Sequence, residues 1–192
     1  MSTFDPSIAR FSVEKYQRLI DVGILGKYDK VELLEGYITL KLPRSPKHDA
    51  TCQLIGGTLS GLDAVGWTVR PGLSLVLADS EPEPDFAVVR GASRGYLARH
   101  PGPDDTALVI EVAESSLARD RDDKARIYAR AAIPAYWVVN LVDGTVEVYT
   151  LPSGPVPAPH YASRQTVRPP DAVPLTLDGA SIGPIPATDL LP

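Results

Sequence analysis

Ala107-Leu-Val-Ile-Glu-Val-Ala113 reads as a strand apolar enough to be buried on both faces, yet it carries a glutamate. A few residues on, Asp120-Arg-Asp-Asp-Lys-Ala-Arg-Ile-Tyr-Ala129 reads as a helix returning over that strand. With period 2, Leu108, Ile110 and Val112 share one face and Val109, Glu111 and Ala113 the other, so the Glu111 carboxylate points among apolar neighbours. Burying it costs free energy unless a partner is supplied. A sheet edge, with Glu111 reaching solvent or an arginine, is the plainer alternative.

At helical spacing Lys124, Ile127, Tyr128 and Ala131 fall on one stripe, so a lysine stands where the helix must face the core, while Arg126 and Arg130 point outward. Its ammonium either snorkels past the helix start or meets Glu111 across the strand-loop-helix unit. Asp120 is expected as the N-cap, with Asp122 and Asp123 in the first turn. A third charge, Asp85, follows Pro84 at the mouth of the apolar run Phe86-Ala-Val-Val89. It is either a turn aspartate or, if its strand neighbours 107–113, half of an oxygen-ligand pair with Glu111 for Mg²⁺ or Mn²⁺.

Around these segments the chain reads as one domain of 192 residues, with a core over about 12–151 and a proline-rich tail, 152–192, wrapped on it without forming a helix and carrying short strand-like pieces at Thr166-Val-Arg and Pro174-Leu-Thr-Leu. Ser12 caps a helix over 11–23, with Phe11 and Tyr16 as a hydrophobic staple and Gly23 at its end. Residues 30–42 form a hairpin turning at Glu35-Gly36 and ended by Pro43 and Pro46. A helix over about 47–64 buries Leu54, Ile55, Leu59 and Leu62. Strands 67–70 and 73–78 pair around Pro71-Gly72; 90–106 is a long polar loop, and strands 135–140 and 145–151 join at Asp143-Gly144. Tyr136 and Trp137 are expected in the core.

Net charge is −5, which argues against coating nucleic acid through bulk electrostatics. A single cysteine, Cys52, and no secretory-type amino terminus point to a cytoplasmic protein. No apolar run approaches the roughly 20 residues that span a bilayer.

Taken in order, Pro84-Asp85, Leu108-Val-Ile-Glu111-Val, Asp120, Lys124, Tyr128 and Ile133-Pro-Ala-Tyr-Trp-Val-Val139 resemble the Uma family of restriction-endonuclease-like proteins, within the PD-(D/E)xK nuclease superfamily. The likeness spans about residues 12–190 and includes Glu32-Leu-Leu-Glu-Gly36 and His48. It implies an α/β (α+β) restriction-endonuclease-like core, a mixed central sheet flanked by helices. It further implies a metal-dependent endonuclease acting on nucleic acid, DNA above all, with Asp85 and Glu111 as metal carboxylates holding Mg²⁺ or Mn²⁺ and Lys124 as the catalytic lysine. The superfamily lysine stands two residues after the second acid, where this chain has Ala113; Lys124 matches a version displaced to the helix. Glu32 resembles the family's amino-terminal acid and is either a supporting residue or a solvated strand glutamate. His48 either supports the site or caps and packs its helix. The chain departs from the family at Glu114, where a small polar residue is common, at Ala132, where glycine is usual, and at Ala135, where an acid is frequent.

Arg90, Arg94 and Arg99 in the long loop either meet phosphates or are solvated. A homodimer would let such a site reach both strands of a duplex. The rival reading is a catalytically silent scaffold that binds nucleic acid or a protein, its charges a structural ion-pair network. A glycosidase using Asp85 and Glu111 leaves Lys124 without a task.

Overall fold

The computed structural model describes residues 8–192 except Lys27. Its centre is a six-stranded sheet in the order β3-β4-β5-β6-β7-β8. The strands are β3 (Trp67–Pro71), β4 (Phe86–Arg90), β5 (Thr106–Ala113), β6 (Ala135–Asn140), β7 (Thr145–Pro152) and β8 (Tyr161–Val167). Only β5 and β6 run parallel, joined by the helical connection between them; every other neighbour is antiparallel, so the sheet is mixed. β5 is therefore interior to the sheet, which removes the edge reading of Glu111.

Both faces are covered. One packs Ile110, Val112, Trp137 and Val139 against Ile55 and Leu59 of α2 (Pro46–Leu59) and against Val173, Leu175 and Leu177. The last three belong to a hairpin of β9 (Ala172–Leu177) and β10 (Ala180–Pro186). The other packs Ala87, Val89, Val109, Ala113, Tyr136 and Val138 against Ile127 and Tyr128. Those two side chains come from a continuous helical stretch: α3 (Leu117–Arg119), a π-helical turn (Asp120–Lys124) and α4 (Ala125–Arg130). Trp137 and Tyr136 are both buried, one on each face, as period 2 demands.

Near the start of the chain, Ser12 Oγ accepts from Lys15 N–H and caps α1 (Val13–Asp21), and Tyr16 is its buried side chain. β1 (Val31–Leu34) and β2 (Tyr37–Leu40) form the expected hairpin, turned through positive φ at Glu35 and Gly36. Backbone bonds in both directions between Leu33 and Glu81 tie β1 to the loop before β4.

Several expectations do not hold. Residues 73–78 are not a strand, and β3 pairs with β4 instead. Leu75 and Leu77 are buried, which accounts for the apolar alternation, but their N–H groups go to Pro82 and Ser80 carbonyls, and prolines 82 and 84 have no N–H to return to a ladder. Pro46 begins α2 instead of merely ending the hairpin, behind Ser45 as N-cap. Leu54 is 43% exposed, and Leu62 is buried from a 3₁₀ turn, Ser60–Val65, that continues beyond the α-helix. The loop 90–106 holds two 3₁₀ turns, Ser93–Tyr96 and Pro103–Asp105. In the proline-rich tail, by contrast, the strand-like pieces are strands: Thr166 and Val167 end β8, which adds to the central sheet, and Pro174 to Leu177 belong to β9, whose hairpin with β10 closes one core.

α4 ends in a Schellman motif, with Ile133 N–H donating to Tyr128 O and Ala132 N–H to Ala129 O, ahead of Pro134. Ala132 takes φ 57° there, the left-handed conformation glycine adopts without a Cβ penalty. Ala132→Gly is expected to stabilise the chain by about 1 kcal/mol, read from urea unfolding midpoints.

Glu147 on β7, a buried carboxylate on the far side of the sheet order from β4, accepts from Arg121, Arg164, Tyr149 and Asn140. Burial alone would raise it, but these donors hold it below its ordinary value of 4.5. An acid depressed in the folded state stabilises the fold above its unfolded value and loses that contribution as pH falls through the folded one. Glu147→Gln should therefore cost about 1–3 kcal/mol at pH 7 and nothing once the carboxylate is protonated in both states, measured as thermal midpoints from pH 7 to 3.

Candidate active site

The two carboxylates of the strands come together through register. Phe86 pairs with Ile110, so the next position outward sets Asp85 beside Glu111. Period 2 puts Asp85 on the face of Ala87 and Val89, and Glu111 on that of Val109 and Ala113, which is the same face, beneath α4. Val112 N–H donates to Asp85 Oδ2 at 2.8 Å and fixes that junction. Both acids line one cleft with Glu32, His48, Asp120 and Lys124.

Lys124 does not snorkel. It is 6% exposed, and its Nζ donates to Glu111 Oε1 at 2.8 Å, with Glu32 Oε2 3.5 Å away. The Tyr128 hydroxyl, one turn on, donates to the same Glu111 Oε1 at 2.9 Å. Among the described residues no hydrogen bond reaches Glu111 Oε2, which leaves that oxygen to the cleft. Glu32 is buried as well, and its Oε2 accepts from Glu83 N–H. Glu35 holds hairpin and helix in place, pairing with Arg126 and with Arg130 Nη1 at 2.8 Å while Arg130 also reaches Asp79. Glu32 thus lines the cleft and is not a solvated strand glutamate.

His48 enters from the first turn of α2, where its N–H is capped by Ser45 Oγ. Its Nε2 lies 3.2 Å from Asp85 Oδ2, and Arg44 Nη2 donates to Asp85 Oδ1 at 2.9 Å. Arg90 and Arg99 in the long loop pair with Asp178 and Asp105, away from the cleft.

Asp120 is the site-lining residue that its sequence assignment misplaced. It is not an N-cap, because the helix begins at Leu117; it lies inside the π turn, buried, accepting from Ser116 Oγ at 2.6 Å. The signal was spacing. Positions 120 and 124 share a helical face, so a Lys124 turned inward brings Asp120 with it, and the π turn carries both into the cleft.

Four carboxylates thus gather around one lysine. Burial pushes Glu111 up to about 8, with Lys124 drawing it down and Asp120, Asp85 and Glu32 adding to the rise. Burial raises Asp120 in the same way against Lys124 and Ser116. Burial would lower Lys124, but Glu111, Glu32 and Asp120 outweigh it and hold the ammonium above its ordinary value. Asp85 differs: burial opposes its charge, yet His48, the Val112 N–H and Arg44 keep it below its ordinary value. His48, disfavoured by burial, is pushed up to about 10 by Asp85 and Cys52. A concave site with surplus buried negative charge and an oxygen facing the cleft is a donor set that suits a hard divalent cation.

No curated protein matches the chain. Among solved structures, a crystal structure from Anabaena variabilis described as "a putative nuclease belonging to DUF820" superposes with a TM-score of 0.65 at 16% identity, covering 94% of this chain and 97% of that one. The likeness establishes a shared fold. Among the described residues no helix is long and apolar enough to cross a membrane. The family Uma2, described as "Putative restriction endonuclease", matches residues 13–183, a span that holds every residue of the cleft, and the chain belongs to that family.

Proposed function

We propose that the protein is a metal-dependent endonuclease of the cytoplasm that hydrolyses phosphodiester bonds of nucleic acid, DNA being the expected substrate. The observation that carries this reading is the meeting of Asp85, Glu111 and Lys124 in one cleft, with Lys124 Nζ 2.8 Å from Glu111 Oε1 although it comes from a helix and not from the strand. Asp85 and Glu111 are the proposed ligands of Mg²⁺ or Mn²⁺, and Asp120 and Glu32 complete the acidic wall. Such a cation would polarise the phosphodiester and lower the pKa of a bound water.

The chain's own residues carry the rest. Lys124, kept protonated by its acidic surroundings, orients the attacking water or offsets charge developing at phosphorus. Tyr128 and Lys124 fix one Glu111 oxygen, so the other is presented in a set direction. His48 and the Val112 N–H fix Asp85. Arg44, half-exposed on the rim, pairs with Asp85 and is placed to meet a phosphate when a cation takes over that carboxylate. A homodimer would set two such clefts against the two strands of a duplex.

One feature favours the silent-scaffold reading: both oxygens of Asp85 already have protein partners, as in a closed ion-pair network. Nicking of supercoiled plasmid decides between the two. Mn²⁺-dependent nicking is expected from the unaltered chain, and Lys124→Ala should lower it by about 10²–10³-fold while Mn²⁺ still binds. Asp85→Asn or Glu111→Gln should abolish Mn²⁺ binding measured by calorimetry. Unchanged nicking in Lys124→Ala, or no Mn²⁺ binding by the unaltered chain, would overturn the proposal.

A further inference from the structure

Cys52 has no task in the nuclease reading, yet it stands one helical turn beyond His48 on α2, and its Sγ lies 3.6 Å from His48 Nδ1. His48 Nε2 in turn lies 3.2 Å from Asp85 Oδ2. One ligating atom each of His48, Cys52 and Asp85 lies within 4.8 Å of the other two, with His48 and Asp85 buried and Cys52 half-buried. Cys52 and Asp85 approach opposite ring nitrogens of His48, only one of which can bind a given ion, so the measure that counts is the 4.8 Å within which one atom of each lies. On a tetrahedral Zn²⁺ such atoms sit roughly 3.2–3.8 Å apart, and closure takes about an ångström of side-chain movement. Two ligands at i and i+4 of a helix with a third from a neighbouring element is a common way to build such a site. His48 and Asp85 line the cleft, so an ion they held would be reached from solvent.

We infer that His48, Cys52 and Asp85 form a second cation site, selective for thiophilic ions of the Zn²⁺ type, that shares Asp85 with the hard-cation site and so competes with it. The softness of the donors separates the two. A thiolate and an imidazole favour Zn²⁺ over Mg²⁺, whereas the all-carboxylate set around Glu111 favours Mg²⁺ or Mn²⁺. On binding, two protons leave to solvent, the Cys52 thiol proton and the imidazolium proton of His48 that Asp85 and Cys52 favour, and the freed Sγ and ring-nitrogen lone pairs form the bonds to the metal. Because one carboxylate serves both, Zn²⁺ becomes an inhibitor of the metal-loaded form. Only this competition rests on the nuclease reading; the binding site stands on its own geometry.

Co²⁺ provides the test, because thiolate bound to Co²⁺ gives a near-ultraviolet charge-transfer band and Cys52 is the chain's only cysteine. Adding Co²⁺ to the chelator-washed protein should raise that band to saturation at one equivalent, and stoichiometric Zn²⁺ should remove it. In Cys52→Ser the band should vanish and Zn²⁺ affinity fall by about 100-fold or more, since even outer partners of a metal ligand are worth 10–100-fold. Circular dichroism and Mn²⁺-dependent nicking of Cys52→Ser should match the unaltered chain, and Cys52→Ala serves if serine disturbs the helix. Glu111→Gln should keep the band. No band in the unaltered chain, or equal Zn²⁺ affinity in the cysteine variants, overturns the site. A band without nicking under any condition sinks the nuclease reading and leaves the site standing; nicking without a band does the reverse.

Discussion

The Lys124–Glu111 pair sits where a protein seldom places charge, between an interior strand and the helix that covers it. Taking both ions out of water costs several kcal/mol each, and replacing such a pair by apolar side chains is often neutral or stabilising. Removing one partner is different, costing about 3–5 kcal/mol, because the other is left buried and uncompensated. The arrangement therefore constrains everything near it. β5 must present Glu111 at a fixed height, the π turn must bring Lys124 down onto it, and Tyr128 must give up its hydroxyl to the same oxygen. Stability alone offers no reason for a core to be built this way; a site that needs a fixed ammonium beside a carboxylate does.

The acids around the pair sharpen that point. One lysine cannot neutralise Glu111, Asp120 and Glu32 together, and burial makes their mutual repulsion count for more than it would in water. Asp85 is treated otherwise, with its charge compensated on its own side by His48, Arg44 and a backbone N–H. The cleft thus has an overcharged half on β5 and the helix, and a balanced half at the mouth of β4. A dication held by residues of both halves would relieve the repulsion in the first and would compete with Arg44 for Asp85 in the second.

Much of this was legible in the sequence, and for physical reasons. Period 2 placed Glu111 on the covered face and helical spacing placed Lys124 on the buried stripe, whereas for Asp85 the sequence left the neighbouring strand open and the antiparallel pairing of β4 with β5 decides it. The Glu35-Gly36 turn and the Asp143-Gly144 turn were read from residues that tolerate positive φ. What failed did so where tertiary context outvoted a local pattern. Leu75 and Leu77 alternate as a strand would, but their backbone is claimed by Pro82 and Ser80. Asp120 looks like a cap because aspartate before an apolar run usually is one, and nothing local shows that the helix starts three residues earlier. In the proline-rich tail the strand-like pieces Thr166-Val-Arg and Pro174-Leu-Thr-Leu mark parts of β8 and β9, but nothing local shows that β8 starts at Tyr161 and pairs along β7.

Asp120 and Cys52 share a cause. Each stands four residues from a residue recognised as chemically interesting, Asp120 before Lys124 and Cys52 after His48, and in both helices that spacing puts the two side chains on one face. Asp120 stands in the family pattern but reads locally as a cap, and Cys52 stands outside the pattern, although the geometry that turns one side chain inward turns its neighbour inward too. Asp120 adds charge to the half of the cleft that already has too much, and Cys52 adds a soft ligand to the half that has enough. The two additions pull the site toward different ions, and Asp85, reachable from both sides, is where that competition is decided.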